Sequence, residues 1–236
     1  MTLTFEIQAP QNNDKGTTLR SLAVTDGGIF VAGNHEKKEL FMASPGDSSK
    51  NRLEPLGHGK SVHSVAWLPG GRIAVTVDSN YIMVADFNIG DAALRENWLF
   101  TEKVYWGSAA RSDDTLFVGA RPDSDSGARV DIVSLALPEN RTQVISTVLT
   151  HEATAELQCP DSLTLHGNDL YISDWCSHAV IVLHLDTTKF DVLEGPPYHA
   201  DLMFYEPRMT AFDDLGNMYL ATGGTVCGYQ GDKHYS

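Results

Sequence analysis

Residues 160–185 read PDSLTLHGNDLYISDWCSHAVIVLHL. Three short apolar runs, Ser162–Leu165, Leu170–Ser173 and Ala179–Leu185, alternate with the turn-forming clusters His166-Gly167-Asn168-Asp169 and Asp174-Trp175-Cys176-Ser177-His178. Runs of this length between such clusters predict strands joined by hairpins, and nothing in them has helical spacing. Gly167 and Asn168 tolerate the positive φ that a tight hairpin needs. The stretch predicts one antiparallel meander.

The same pattern recurs along the chain. A small residue opens a first strand and a large one follows nine positions later: Ser21/Phe30, Ser64/Ile73, Ser108/Phe117, Ser162/Tyr171 and Thr210/Tyr219. A turn lies inside each pair, for example Pro69-Gly70-Gly71 and Ser112-Asp113-Asp114. The openings fall 43, 44, 54 and 48 residues apart. A period of about 40–50 residues carrying four strands is that of a β-propeller blade. Hairpins of a sandwich recur every 8–12 residues or so with no longer period laid over them. The expected fold is therefore all-β, a five-bladed propeller forming one domain over residues 1–236.

The last repeat is too short for four strands, and the alternating run Leu3–Gln8 precedes the first. The expectation is that Leu3–Gln8 completes the last blade as its outer strand and closes the ring without an open edge. A six-bladed chain cut short is the alternative.

Composition narrows the function classes. The formal charge is −14, from 31 acidic and 17 basic residues. That sign repels phosphate backbones, so no nucleic-acid partner is expected. No apolar run approaches 18 residues and the first residues lack the pattern of a signal peptide, so no membrane is expected. Cys159, Cys176 and Cys227 form an odd set without CxxC spacing, which argues against a disulfide scaffold and structural zinc. A cytoplasmic location fits; a secreted chain relieved of its signal peptide is the alternative.

In such a fold, the loops entering each first strand share a face with the turns between second and third strands. That face gathers loops from every blade around the channel and is the expected ligand site. Arg20, His63, Asp161 and Arg208 stand at or just before the first strands, aimed at the channel mouth. There Asp161 and His63 would act as general acid and base, and Arg20 or Arg208 would hold a carbonyl or carboxylate oxygen. Trp106 and Trp175 would floor an apolar pocket, with His178, Glu206 and Asp174 at its rim. The plainer reading is that these polar groups pair with one another, and that Asp174 holds its own turn.

Other motifs carry less. Asp123-Ser124-Asp125-Ser126-Gly127 opens like a calcium loop but lacks its third acid and downstream Glu, so it reads as a solvated loop. No HExxH, GxSxG, P-loop or GxGxxG motif is present.

The quoted stretch resembles an NHL repeat and, more loosely, a blade of the SMP-30/gluconolactonase and strictosidine-synthase-like propellers. Pro160-Asp161, Gly167-Asn168, Leu170-Tyr171-Ile172-Ser173-Asp174 and the apolar third strand carry the resemblance. It implies either chemistry on a small organic molecule without a redox cofactor or an interaction module. Lactonase-like members hold a divalent metal through Glu, Asn and Asp; only Asp161 has a counterpart here, so no metal and no other cofactor is expected. The leading expectation is a small organic molecule bound in the central channel, by an enzyme of hydrolase, lyase, isomerase or cyclase type.

Overall fold

The computed structural model describes residues 19–24, 30–34, 39–43, 52–55, 60–78, 80–86, 95–123, 126–135, 141–193, 206–222, 226–230 and 233–235. Twenty strands lie in these residues, grouped in chain order into five four-stranded antiparallel sheets. The first sheet holds β1 (Leu19–Val24), β2 (Phe30–Asn34), β3 (Glu39–Ala43) and β4 (Arg52–Pro55). The second holds β5 (Val62–Leu68), β6 (Arg72–Val77), β7 (Tyr81–Asp86) and β8 (Arg95–Phe100). The third is β9 (Tyr105–Ser112), β10 (Thr115–Ala120), β11 (Arg129–Ser134) and β12 (Gln143–Thr150). In the fourth are β13 (Pro160–His166), β14 (Asp169–Asp174), β15 (Ala179–His184) and β16 (Phe190–Leu193). The fifth contains β17 (Met209–Phe212), β18 (Met218–Ala221), β19 (Val226–Gln230) and β20 (Lys233–Tyr235).

The first strands β1, β5, β9, β13 and β17 pack one on the next around a hub. This is a β-propeller of four-stranded blades. Its core is a series of layers between blades rather than one central mass. Ile73, Val75 and Val77 of β6 pack with Ala23 and Leu40 of the first blade, while Ala74 on the opposite face packs with Leu116 and Val118 of the third. Both faces of an inner sheet are thus covered, and its strands read as unbroken apolar runs. A larger layer joins Phe117, Val130 and Ile132 to Leu163, Ile172 and Ile181.

The small residues that open the first three repeats, Ser21, Ser64 and Ser108, have a structural task at the hub. The Val65 N–H donates to Ser21 Oγ at 2.8 Å, and the Ser108 N–H to Ser64 Oγ at 3.2 Å. Ser108 Oγ also donates to Ser64 Oγ at 3.0 Å. Two seams further round, between β13 and β17, Thr164 Oγ1 donates to the Thr210 carbonyl at 2.7 Å. Hydroxyls therefore tie β1 to β5, β5 to β9 and β13 to β17, where a larger side chain would hold the strands apart. Gly119 serves the same close approach: a Cβ there would meet Pro160 at 2.9 Å.

Three expectations need correction. The fourth strand beside β19 is β20, with Gln230 paired to Lys233; Leu3–Gln8 lies outside the described residues. The Gly231-Asp232 pair between Gln230 and Lys233 is a hairpin signal in its own right. The sequence pattern predicts one strand over Asn97–Tyr105, whereas β8 ends at Phe100 and Tyr105 opens β9. The chain turns between them, with the Thr101 N–H donating to Asn80 O and Thr101 Oγ1 to Lys103 O. Finally, Cys159 and Cys176 form a disulfide with Cα atoms 5.4 Å apart, so the spacing argument against a disulfide fails. Residues 17 apart in sequence meet because β13 and β14 form a hairpin, which brings Pro160 opposite Asp174.

Candidate functional site

Asp161, one residue into β13, is the centre of a charged and aromatic cluster at the mouth of the hub. Its side chain is 7% exposed and meets two arginines: Arg208 Nη1 donates to Oδ2 at 3.2 Å, and Arg121 Nη2 lies 3.6 Å from Oδ1. Arg121 directly follows β10 and Arg208 directly precedes β17, so blades three and five both reach the carboxylate of blade four.

Flat groups surround this ion pair. The Arg121 guanidinium lies over Trp106 at 3.1 Å from the ring centre and over Trp175 at 4.9 Å. Arg208 lies over Trp175 at 4.8 Å. His63, buried on β5, stacks on Trp106 with ring centres 4.0 Å apart. Each arginine contact sets a cation over an indole face, worth about 0.5–2 kcal/mol according to its shielding from water. His63, Trp106, Arg121, Trp175 and Arg208 thus come from four blades into one stack.

Arg208 has a second acid. Its Nη2 donates to Glu206 Oε2 at 3.3 Å, and both side chains are 29% exposed. The Glu206 N–H donates to His178 Nδ1 at 3.1 Å. Glu206 and His178 have φ of +51° and +58°. For residues with a Cβ this left-handed backbone costs about 1 kcal/mol each.

Asp174 does what the plainer reading anticipated. Its carboxylate accepts from the backbone N–H of Gln158, Cys159 and Ser177 at 2.7, 2.6 and 3.1 Å. Burial pushes its carboxyl up, and the backbone bonds from Ser177, Gln158 and Cys159 pull against that rise. Together with the Cys159–Cys176 bridge it fixes the loop before β13 to the turn carrying Trp175.

The structure therefore gathers Asp161, His63, Arg208, Trp106, Trp175, Glu206 and His178 at one mouth, with Asp174 beneath the turn. Arg20 lies on β1, but its side chain is outside the described residues. Arg121 is the residue of this cluster that the sequence reading does not single out. Its signal is the position directly after a second strand, as Asp78 directly follows β6. The acidic loop at Asp123 is occupied within the protein: Asp123 accepts from the Ser126 N–H and pairs with Lys103. Among the described residues no group of three or more His, Cys, Asp or Glu is placed to hold a metal ion.

A separate cleft of about 350 Å³ lies between blades three and four, lined by Pro122, Gly127, Ala128, His151, Gln158 and Cys159. It offers one ring and one amide, against the ion pairs and stacked rings of the hub. The hub mouth is the better-built site.

No protein-family model matches the chain, and no curated protein sequence matches it. Solved structures do. A structure of a nidogen/laminin complex superposes with a TM-score of 0.68 at 16% identity, covering 92% of this chain and 78% of that one. The extracellular domain of a one-component system protein from B. thetaiotaomicron gives 0.59 at 10% identity, covering 95% of this chain but 32% of that one. At these identities the likeness carries the β-propeller fold and nothing finer.

Proposed function

We propose that this chain is a binding propeller that takes a small organic molecule with a flat apolar part at the loop-rich mouth of the hub. The observation that carries this reading is the stack of His63, Trp106, Arg121, Trp175 and Arg208 around Asp161. Flat groups held rigidly by neighbours bind a flat ligand with little ordering cost. Binding without catalysis fits the ion pairs: an Asp161 already engaged by two guanidiniums positions arginines rather than moving protons. The disulfide supports an oxidising compartment over the reducing cytoplasm first expected. Among the described residues no helix is long and apolar enough to cross a membrane.

The test is a thermal-shift series with neutral aromatic probes (indole, p-cresol, phenylacetamide) on wild type, Trp175→Leu and Arg208→Gln. The reading expects a probe that raises the melting temperature of wild type and loses that effect in both variants. An equal shift in all three proteins places binding elsewhere and ends the proposal. A protein-docking role is the second reading, favoured by the similar fold solved within a complex of two proteins. It expects no small probe to act and a partner's binding to be weakened by the same two substitutions.

A further inference from the structure

We infer that the ligand of this site carries a single carboxylate, and that Glu206 stands in its place in the unliganded protein. The inference rests on the binding reading above and adds the ligand's charged group.

The two acids on Arg208 are not equivalent. Asp161 is 7% exposed, sits on a hub strand and is shared with Arg121. Glu206 is 29% exposed and stands in the loop before β17, two residues from the arginine it contacts. Each acid takes one nitrogen of Arg208, Asp161 at 3.2 Å and Glu206 at 3.3 Å. A guanidinium binds a carboxylate best through two parallel N–H bonds in its own plane. Arg208 gives one nitrogen to each acid, so the forked arrangement is not made with either.

The backbone around Glu206 points the same way. Its φ is +51°, and the histidine bracing its N–H has φ +58°. Left-handed geometry at two linked residues with side chains persists only where the surroundings enforce it, and such strain favours a segment that releases. Trp175 supplies the remaining recognition. Its ring lies 4.8 Å from the Arg208 guanidinium, and its buried Nε1–H has no hydrogen-bond partner among the described residues. An incoming carboxylate would take the Arg208 fork, with the indole N–H as a further donor.

Charge sets the stoichiometry. Two arginines face two acids, Asp161 and Glu206; when Glu206 swings out, the cluster has one uncompensated positive charge. It then suits a monocarboxylate. A dicarboxylate would add a negative charge to a chain that already has a formal −14.

The experiment measures dissociation constants by NMR for phenylacetate, phenylacetamide and the capped dipeptide acetyl-Phe-Asp-amide. The proteins are wild type, Glu206→Gln and Glu206→Gly, with Trp175→Leu as the control for the site. The glycine variant removes both the carboxylate and the backbone strain, and melting temperatures confirm that both variants fold. Phenylacetate should bind wild type about tenfold more tightly than phenylacetamide, as a charged fork outweighs a neutral bond. Both variants should tighten phenylacetate several-fold and leave phenylacetamide unchanged. Tighter binding of the dipeptide than of phenylacetate would keep the carboxylate and assign its source to a peptide. Acid and amide binding alike, and both lost in Trp175→Leu, would overturn the carboxylate while leaving the binding site in place. Phenylacetate that binds neither wild type nor the variants would overturn the inference outright.

Discussion

The Arg121 guanidinium lies 3.1 Å from the centre of the Trp106 ring, and its Nη2 is 3.6 Å from Asp161 Oδ1. A planar cation is needed to do both, because it covers an indole with its face while its edge meets a carboxylate. Lysine has no such face. Arg121→Lys should therefore lower stability by about 1–2 kcal/mol, although the charge is kept. In a domain of this size that is a fall of several degrees in melting temperature. A Lys variant as stable as wild type would mean that charge alone holds the mouth together.

The Cys159–Cys176 bridge closes a loop of 17 residues. By the chain-entropy estimate such a crosslink contributes about 3 kcal/mol. Reducing the wild-type protein should lower its urea midpoint to that of a Cys159→Ser/Cys176→Ser variant, and the reductant should leave the variant unmoved. If reduction changes nothing in the wild type, the two thiols are not bonded in solution. The variant should also weaken ligand binding at the hub, because the bridge fixes the turn bearing Trp175 to the strand bearing Asp161.

The propeller was legible because its period is long and its strands are short. The pairs Ser64/Ile73 and Ser108/Phe117 mark where a hydroxyl meets the neighbouring inner strand and where a large side chain fills the layer between blades. Those needs recur from blade two to blade three, so they leave a repeat. Gly71 and Gly167, in two of the anticipated turns, have φ of +81° and +61°. The site was legible only in outline. Repeat position put Asp161, Arg208, Trp106 and Trp175 on one face, but it says nothing of which partners meet. Arg121 and the disulfide depend on distances between loops of different strands, which no local pattern encodes. An odd cysteine count hid the bridge because Cys227 stands apart from it in sequence.

Ser64 tests the account of the repeat itself. Its Oγ accepts from both the Ser108 N–H and Ser108 Oγ at the buried seam between blades two and three. Ser64→Ala leaves a buried N–H without that acceptor, which should cost about 1–3 kcal/mol in urea unfolding. Replacing an exposed serine such as Ser146 should cost little. Equal effects of the two substitutions would remove the hydroxyl as the reason for the repeat's opening residue.

His184 gives stability a pH dependence whose sign follows from its neighbours. Its Nδ1 lies 2.7 Å from Asp169 Oδ1 and its Nε2 3.0 Å from Asp191 Oδ2. Hydrogen bonds to Asp191 and then Asp169 raise its pKa above the ordinary 6.5. A histidine that holds its proton more tightly when folded stabilises the fold while protonated. That contribution is fully present below about 6.5 and is lost as pH rises through the raised value. The melting-temperature gap between wild type and His184→Gln should be wider at about pH 5.5 than at about pH 9, where the imidazole is neutral in both states. Asp169→Asn together with Asp191→Asn should return the imidazole's NMR titration midpoint toward that of a free histidine. A gap that stays constant across this range would mean that His184 contributes through packing, and that its two carboxylates are solvated independently of it.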